Sequence, residues 1–428
     1  MEYTNTLRVG VFFDGTGNNQ GNAATRPDQS DRPALGSYAN ARSNVALLHA
    51  LYPSGLVQGC VYFKCYVQGV GTVEGEADSW FSQATGRGPH GVMARVSEAL
   101  QHIAGVLREY RAGQAQSEDA TLVFDLFGFS RGAAAARHLA NLLTQSAARL
   151  PMELEGERII HFIGLFDTVA AIVAPLSANF DPANTRYAGL RLGLRDGLAR
   201  HQVQLVAANE RRRNFPLLRS GNDIVMPGVH SDIGGGYLES MREQVLLTKP
   251  RANRVAQATP AERTAVYREA LALLESNFAQ LEHPRPAVLT WERPLAPSPE
   301  RWEVAQKEVF AAVYREREVS GHLSRVYLSI MRELAVRVGV PFAALGQDPA
   351  HRLPQELLPI SRKLHAQALG EHSAVPLTEA EHALLRRRYL HTSAHWNTPL
   401  GMRDSALEAL YIDRPGEAGR IVHDNPVG

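Results

Sequence analysis

The chain has 428 residues, of which 44% are hydrophobic and 21% charged, which is ordinary for a soluble globular protein. Its formal net charge of +1 gives no electrostatic reason to expect nucleic acid as a partner. The N-terminal segment lacks the apolar stretch of a signal peptide, and no run approaches the roughly 18 apolar residues of a transmembrane helix. The sequence therefore predicts a protein that is made in the cytoplasm without a signal peptide.

Strand-like and helical segments alternate along residues 7–230. Apolar runs of strand type are Leu7–Phe13, Cys60–Gly69, Thr121–Phe127, Arg158–Phe166, Val203–Ala208 and the shorter Asp223–Val229. Helical patterns cover Gly91–Arg111 and Arg131–Ala148. This alternation predicts an α/β fold with a mostly parallel, doubly wound sheet. The two cysteines, Cys60 and Cys65, fall on opposite faces of one predicted strand, so a disulfide between them is not expected.

The character of the chain changes after about Ala258. Charged segments with apolar stripes, Ala261–Leu281 and Arg301–Val338, predict long helices, and Pro-rich breaks separate them. We therefore expect a catalytic core over residues 1–255 and a helical cap or partner-binding region over residues 256–390. Residues 391–428 are expected to return to the core. Near the N-terminus, the polar segment Gly15–Asn44 predicts a long loop over the site.

The pentapeptide Gly128-Phe-Ser-Arg-Gly132 is the most informative motif. It follows a predicted strand and precedes an alanine-rich helix, which is the setting of the nucleophile elbow in α/β-hydrolases. Glycines two places to either side are needed because a Cβ there would collide with the neighbouring chain. This motif predicts Ser130 as a catalytic nucleophile in an α/β-hydrolase-like fold, the alternative being a plain turn between strand and helix.

A nucleophilic serine needs a base and an acid that orients the base, and in this fold they follow in the order Ser, Asp or Glu, His. Asp167 ends a strongly apolar strand and is the predicted acid, although it could instead cap a helix over Thr168–Ala174. His230, between an apolar strand and a triple-glycine turn, is the predicted base. Asp232 is a supporting residue or a substitute acid.

Two late histidines, His391 and His395, also satisfy the order of the triad and are the rival candidates for the base. For the oxyanion hole we expect the N–H groups of Arg131 and of the early loop residues Gly15 and Thr16, with Asp14 holding that loop in shape. The predicted chemistry uses no cofactor and no metal ion.

The loop after the first strand also excludes two other enzyme classes. In a haloacid dehalogenase the nucleophilic aspartate would stand at position 12, where this chain has Phe12. The loop lacks the Gly-Lys-Ser/Thr ending of a P-loop, which excludes nucleotide hydrolysis of that type.

Four motifs together resemble a known family, the α/β-hydrolase phospholipase effectors delivered by bacterial type VI secretion. These motifs are Phe13-Asp-Gly-Thr-Gly-Asn18, Gly128-Phe-Ser-Arg-Gly-Ala133, Phe166-Asp-Thr-Val169 and Pro227-Gly-Val-His-Ser-Asp-Ile-Gly-Gly-Gly-Tyr237. The stretch Ala207-Ala-Asn-Glu-Arg-Arg-Arg-Asn-Phe215 is also similar to the family. The resemblance covers roughly residues 7–240, and its triad falls on Ser130, Asp167 and His230.

The resemblance implies a serine phospholipase that releases fatty acid from membrane phospholipid in the periplasm of a rival cell. It also implies an immunity protein in the producing cell and a secretion spike or adaptor protein for delivery. Two alternatives are a general esterase or lipase that is unconnected with secretion, and a non-catalytic binding module on a hydrolase scaffold.

Overall fold

The computed structural model describes residues 6–24, 40–72, 91–113, 120–145, 150–170, 187, 189–281, 284–296 and 304–426. Half of the predicted loop Gly15–Asn44, residues 25–39, and most of the alternative helix Thr168–Ala174 lie outside these residues; the described part of that loop includes a short helix, Gln20–Ala24. Within the described ranges, no helix is both long and apolar enough to cross a membrane.

A seven-stranded sheet forms the centre of the fold. The first eight strands in chain order are β1 (Thr6–Phe13), β2 (Gly55–Val57), β3 (Cys60–Val67), β4 (Thr121–Phe129), β5 (Arg158–Phe166), β6 (His201–Ala207), β7 (Leu217–Leu218) and β8 (Asp223–Met226). All of them except β7 belong to this sheet, in the order β2-β3-β1-β4-β5-β6-β8. Only the β2–β3 pair is antiparallel. The prediction of a mostly parallel α/β sheet is thus confirmed.

Helices cover both faces of this sheet, as the apolar strands require. The first five are α1 (Gln20–Ala24), α2 (Asn44–Leu51), α3 (Val92–Ala112), α4 (Arg131–Leu143) and α5 (His230–Gly234). The next four are α6 (Ala265–Asn277), α7 (Leu323–Arg337), α8 (Leu357–Ala368) and α9 (Glu379–Arg388). Helices α3 and α4 bury one face of β1 and β4, and α2, α7 and α8 bury the other in a second apolar cluster.

A smaller antiparallel sheet follows the core and corrects one prediction. Its strands are β9 (Met241–Leu246), β10 (Arg251–Ala256), β11 (Ala287–Pro294) and β12 (Gln306–Val319). The helix predicted over Arg301–Val338 is wrong for its first half, which is the long strand β12; helix α7 occupies the second half. Charges of both signs on β12 face opposite charges on neighbouring strands, as in the 2.7 Å pair between Arg317 and Glu243. Such cross-strand pairs stabilise a sheet, whereas the sequence pattern suggested helical spacing.

Helix α7 is part of the core rather than a peripheral lid. Its residues Leu323, Val326 and Met331 are fully buried, and they share an apolar cluster with Phe127 and Phe166 of the central sheet. The second half of the predicted helical segment Arg301–Val338 therefore forms part of the helical layer that packs on one face of the central sheet.

The C-terminal segment lies against the core at several points. A short final strand, β13 (Val422–His423), pairs in parallel with β7. The side chain of Asn425 bonds the backbone N–H and carbonyl of Leu194, each at 2.9 Å. These contacts bring residues near position 420 to the edge of the sheet where the predicted catalytic residues lie.

Candidate active site

Ser130 lies on a sharp turn between β4 and α4. Its backbone has φ 58° and ψ −123°, a conformation that L residues rarely adopt. The two flanking glycines are required by close contact: a Cβ on Gly132 would lie 2.3 Å from the carbonyl oxygen of Phe13, and one on Gly128 would lie 2.5 Å from that of Gly132. The turn therefore has the geometry of a nucleophile elbow.

Asp167 stands beside this turn because of the strand register. Phe129 and Phe166 are partners in the parallel β4–β5 pair, so Ser130 and Asp167 both follow directly on paired residues. The N–H of Ser130 donates to the carbonyl of Phe166 at 3.0 Å, which ties the two strand ends together. Asp167 also has a positive φ, 44°, and its side chain is completely buried.

His230 contacts Asp167 directly. Its Nδ1 lies 2.6 Å from Oδ2 of Asp167, and the imidazole is 3% exposed. His230 is the first residue of α5, and its own N–H donates to Glu210 at 3.2 Å. The structure thus pairs the histidine and the aspartate that the sequence predicted as base and acid.

The ring of Phe129, the residue before Ser130, packs on His230 with 4.7 Å between ring centroids. Gly234 makes this packing possible, since a Cβ there would lie 2.1 Å from that ring. Both Ser130 and His230 are described, and no hydrogen bond joins the serine hydroxyl to the imidazole in this structure. Catalytic contacts of this kind are often long in the absence of substrate and shorten when it binds.

Burial and neighbouring charges determine the ionisation of Asp167 and His230. Burial opposes the charge on Asp167, but Arg420 and His230 outweigh it and hold the pKa of this carboxyl well below its usual range. Burial lowers the pKa of His230; Asp167 opposes this shift, while Arg212 and Arg420 add to it. A histidine with a pKa below its ordinary value of about 6.5 is mostly neutral near pH 7, which is the state a general base needs.

Arg420 was not predicted as a site residue. Its two terminal nitrogens donate to the two oxygens of Asp167, each at 2.7 Å. The N–H of Ala207 also donates to Asp167, at 3.0 Å. Arg420 is 253 residues from Asp167 in the chain and belongs to no motif, so no sequence signal pointed to it.

Asp232 and the late histidines have other partners. Nδ1 of His391 lies 2.6 Å from Oδ1 of Asp232, and its backbone N–H donates to Oδ2 at 3.2 Å. Asp232 also accepts from the N–H of Val229 at the start of α5. The interpretation of Asp232 as a substitute acid for His230 is therefore not supported by its contacts. His395 lies 3.9 Å from Asp413, and neither late histidine is bonded to Ser130.

The loop after β1 approaches the elbow from the other side. Asp14 accepts the N–H of Gly15 at 2.7 Å and the hydroxyl of Tyr66 at 2.6 Å, and these bonds tie the start of the loop to β3. The N–H of Gly15 is consequently occupied, whereas no hydrogen bond in the described part of the chain engages that of Thr16. Arg131 holds this residue in place, because its Nε donates to Oγ1 of Thr16 at 2.7 Å.

A cavity of about 450 Å³ lies elsewhere, where β6 and β8 begin. Its lining includes His201, Asn222 and Val338. Because Ser130, Asp167 and His230 all follow strand ends at the opposite edge of the sheet, this cavity is not the candidate active site.

The parallel sheet, the serine elbow and the buried histidine–aspartate pair define the chain as a protein of the α/β hydrolase-like class. Its sequence matches the model of the type VI secretion system phospholipase effectors, Tle1-like, catalytic domain, over residues 8–148 and 145–256. The chain belongs to this family, which confirms the resemblance seen in its motifs.

A solved structure of the Tle1 effector bound to the VgrG spike from the type VI secretion system is similar over nearly the whole chain. It shares 29% sequence identity with a TM-score of 0.75, covering 98% of this chain and 94% of that one. An uncharacterized protein from Pseudomonas aeruginosa shares 19% identity with a TM-score of 0.42, covering 88% of this chain and 52% of that one, and this likeness carries no argument. A comparison with curated proteins found no match.

Proposed function

We propose that this protein is a serine-dependent phospholipase that cleaves a fatty acyl ester of membrane phospholipid. The observation that carries the proposal is the buried 2.6 Å contact between His230 and Asp167, beside the strained elbow of Ser130. Membership of a phospholipase effector family supplies the substrate class.

In the proposed reaction, Nε2 of His230 takes the hydroxyl proton of Ser130 while Oγ attacks the ester carbonyl carbon. Asp167 holds the imidazole through Nδ1, so that the free nitrogen faces the nucleophile. The ester C–O bond then breaks, and His230 gives its proton to the departing lysophospholipid alcohol. Water attacks the acyl-enzyme by the same route and releases the fatty acid.

The negative charge of the tetrahedral intermediate needs donors that are already in place. The N–H of Arg131 opens α4, where the first amides have no acceptor within the helix. The N–H of Thr16, which none of the described residues engages, is the second proposed donor, and the contact between the Arg131 and Thr16 side chains keeps the two residues adjacent. Gly15 supports this loop rather than donating, because Asp14 occupies its N–H.

The proposed setting of the reaction is competition between bacteria. The related Tle1 effector is bound to a VgrG spike in its solved structure, which favours delivery of this chain on such a spike. We propose the periplasm of the target cell as the site of action, with an immunity protein protecting the producer.

Hydrolysis by purified protein tests the chemistry. Fatty acid release from vesicles of defined diacyl phospholipids and lysophospholipids is compared between wild type and Ser130→Ala, with Ser405→Ala as a control for a half-buried serine far from the elbow in sequence. We expect release by wild type and by Ser405→Ala, and none by Ser130→Ala. Cleavage of soluble esters without any cleavage of phospholipid would instead indicate a general esterase.

Expression in a sensitive bacterium tests the setting. The chain is produced with and without an added periplasmic signal, as wild type and as Ser130→Ala. We expect growth arrest that depends on periplasmic targeting and on Ser130. Toxicity that persists in Ser130→Ala would contradict the effector proposal.

A further inference from the structure

Arg420 contacts the candidate site at two points. Its guanidinium binds both oxygens of Asp167, and its Nε donates to the carbonyl of Phe215 at 2.7 Å. The ring of Phe215 packs against His230 with 5.1 Å between centroids. One side chain from the C-terminal segment thus holds both the acid and an aromatic neighbour of the base.

Arg420 gives Asp167 more hydrogen bonds than a buried carboxylate needs. The carboxylate already accepts from His230 and from the N–H of Ala207, which are ordinary partners for the acid of a triad. Arg420 adds a planar fork at 2.7 Å on both oxygens, with its side chain only 7% exposed. Such a fork fixes the plane of the carboxylate as well as its position, because two N–H groups of the planar guanidinium align with the two carboxylate oxygens.

We infer that Arg420 is a positioning residue of the hydrolase site: it orients Asp167 and limits the positive charge that His230 can take up. The inference rests on the proposed function, since it assigns a role within the same site. It makes the C-terminal segment a functional part of the site, although that segment lies outside the matched catalytic-domain residues.

The charged groups near His230 determine in which direction Arg420 changes the protonation of the imidazole. Asp167 and Glu210 are buried anions near the imidazole, and Arg212 and Arg420 are buried cations, so these four buried charges balance while His230 is neutral. A third anion, Asp413, pairs with Arg212 at 3.1 Å, but it is partly exposed, so solvent screens its charge. An imidazolium would leave a net positive charge in the buried cluster. Without Arg420 the same imidazolium would be neutralised, so the base would take a proton at higher pH.

The experiment measures how readily Ser130 is activated, without requiring a lipid surface. An alkyl fluorophosphonate forms a bond from phosphorus to Oγ of Ser130, fluoride leaves, and His230 takes the serine proton. The second-order labelling rate is measured between about pH 5 and pH 9, across the ordinary imidazole range. The variants are Arg420→Gln and Arg420→Lys, in the full chain, with unfolding temperature recorded for each.

Arg219→Gln is the matched control. It removes a positive charge beside β13, where Arg219 is 57% exposed and 3.9 Å from Asp424. Such an exposed pair contributes little, so we expect the rate and pH profile of wild type.

For Arg420→Gln we expect the acidic limb of the labelling profile to move up by roughly 0.5 to 1.5 pH units. The plateau rate should fall about ten- to a hundredfold, because the acid loses its fixed orientation. A folded Arg420→Gln whose profile matches wild type would overturn the inference.

Arg420→Lys keeps the charge but loses the fork, and it decides the question if Arg420→Gln does not fold. We expect an acidic limb close to that of wild type with a reduced plateau; a wild-type plateau, or a limb shifted upward, would overturn the inference. Absence of labelling in wild type would overturn the proposed function and the inference with it. Labelling of wild type with unchanged Arg420 variants would overturn the inference alone.

Discussion

Ser130 and Asp167 both have a positive φ, of 58° and 44°, directly after paired residues of adjacent parallel strands. Neither residue is glycine, so each conformation is costly and must be held by its surroundings. The flanking strands hold these conformations, and they aim the two side chains at the same edge of the sheet. This geometry leads to the first prediction.

Replacing Ser130 by glycine should relieve the strain of the elbow. We expect both Ser130→Gly and Ser130→Ala to be inactive, with Ser130→Gly the more stable by about 1 kcal/mol, because only glycine adopts φ 58°, ψ −123° freely. Chemical denaturation of both variants measures the difference. A more stable alanine variant would show that the elbow is not strained.

Asp167→Asn should impair both catalysis and stability. Loss of the carboxylate misorients His230, and we expect kcat to fall by about 10³- to 10⁴-fold. The variant also leaves Arg420 buried without its anion, which should cost roughly 3–5 kcal/mol of unfolding free energy. Ester hydrolysis and thermal unfolding are the measurements. Activity equal to wild type would transfer the role of acid to another carboxylate.

Substitutions in the two histidine–aspartate pairs should have different effects on activity. His230→Gln should abolish hydrolysis. His391→Gln should retain most activity and lose roughly 1–3 kcal/mol of stability, since it removes the side-chain partner of Oδ1 of the buried Asp232. Hydrolysis and unfolding measured on both variants test this, and an inactive but stable His391→Gln would favour the late histidine as the base.

The pH profile of wild type should reflect the lowered pKa of His230. The neutral imidazole is the active form, so kcat/KM rises with pH through the pKa of the base. Because burial lowers that pKa, we expect the midpoint of the acidic limb below the ordinary value of about 6.5. A midpoint clearly above that value, measured on a soluble ester, would contradict a buried neutral base.

Two glycine substitutions should change stability in opposite directions. Gly132→Ala places a Cβ 2.3 Å and 2.4 Å from the backbone oxygens of Phe13 and Asp14, so we expect a loss of at least roughly 1–3 kcal/mol and of activity. Gly105→Ala, inside α3, meets nothing within 4 Å and should stabilise by about 0.5–1 kcal/mol. Thermal unfolding of both tests the packing of the elbow.

The pattern of apolar residues in the sequence predicted those strands whose position depends mainly on local sequence. The strand Arg158–Phe166 was predicted with its observed bounds, because a continuous apolar run has few alternatives. The pattern failed over β12, where charges are satisfied by neighbouring strands, as in the pair of Arg317 and Glu243, which are 74 positions apart. Likewise, no local signal could show that His391 binds Asp232, since the choice of carboxylate depends on tertiary contacts.

The contact between Asp167 and Arg420 joins residues that are 253 positions apart. A nascent chain that includes Ser130, Asp167 and His230 can form the elbow from neighbouring strands, but it lacks the guanidinium of Arg420, which binds both oxygens of Asp167 in the full chain. Closing so long a loop is slow compared with local pairing. The order of synthesis and folding therefore delays completion of the site until the chain has been made through residue 420.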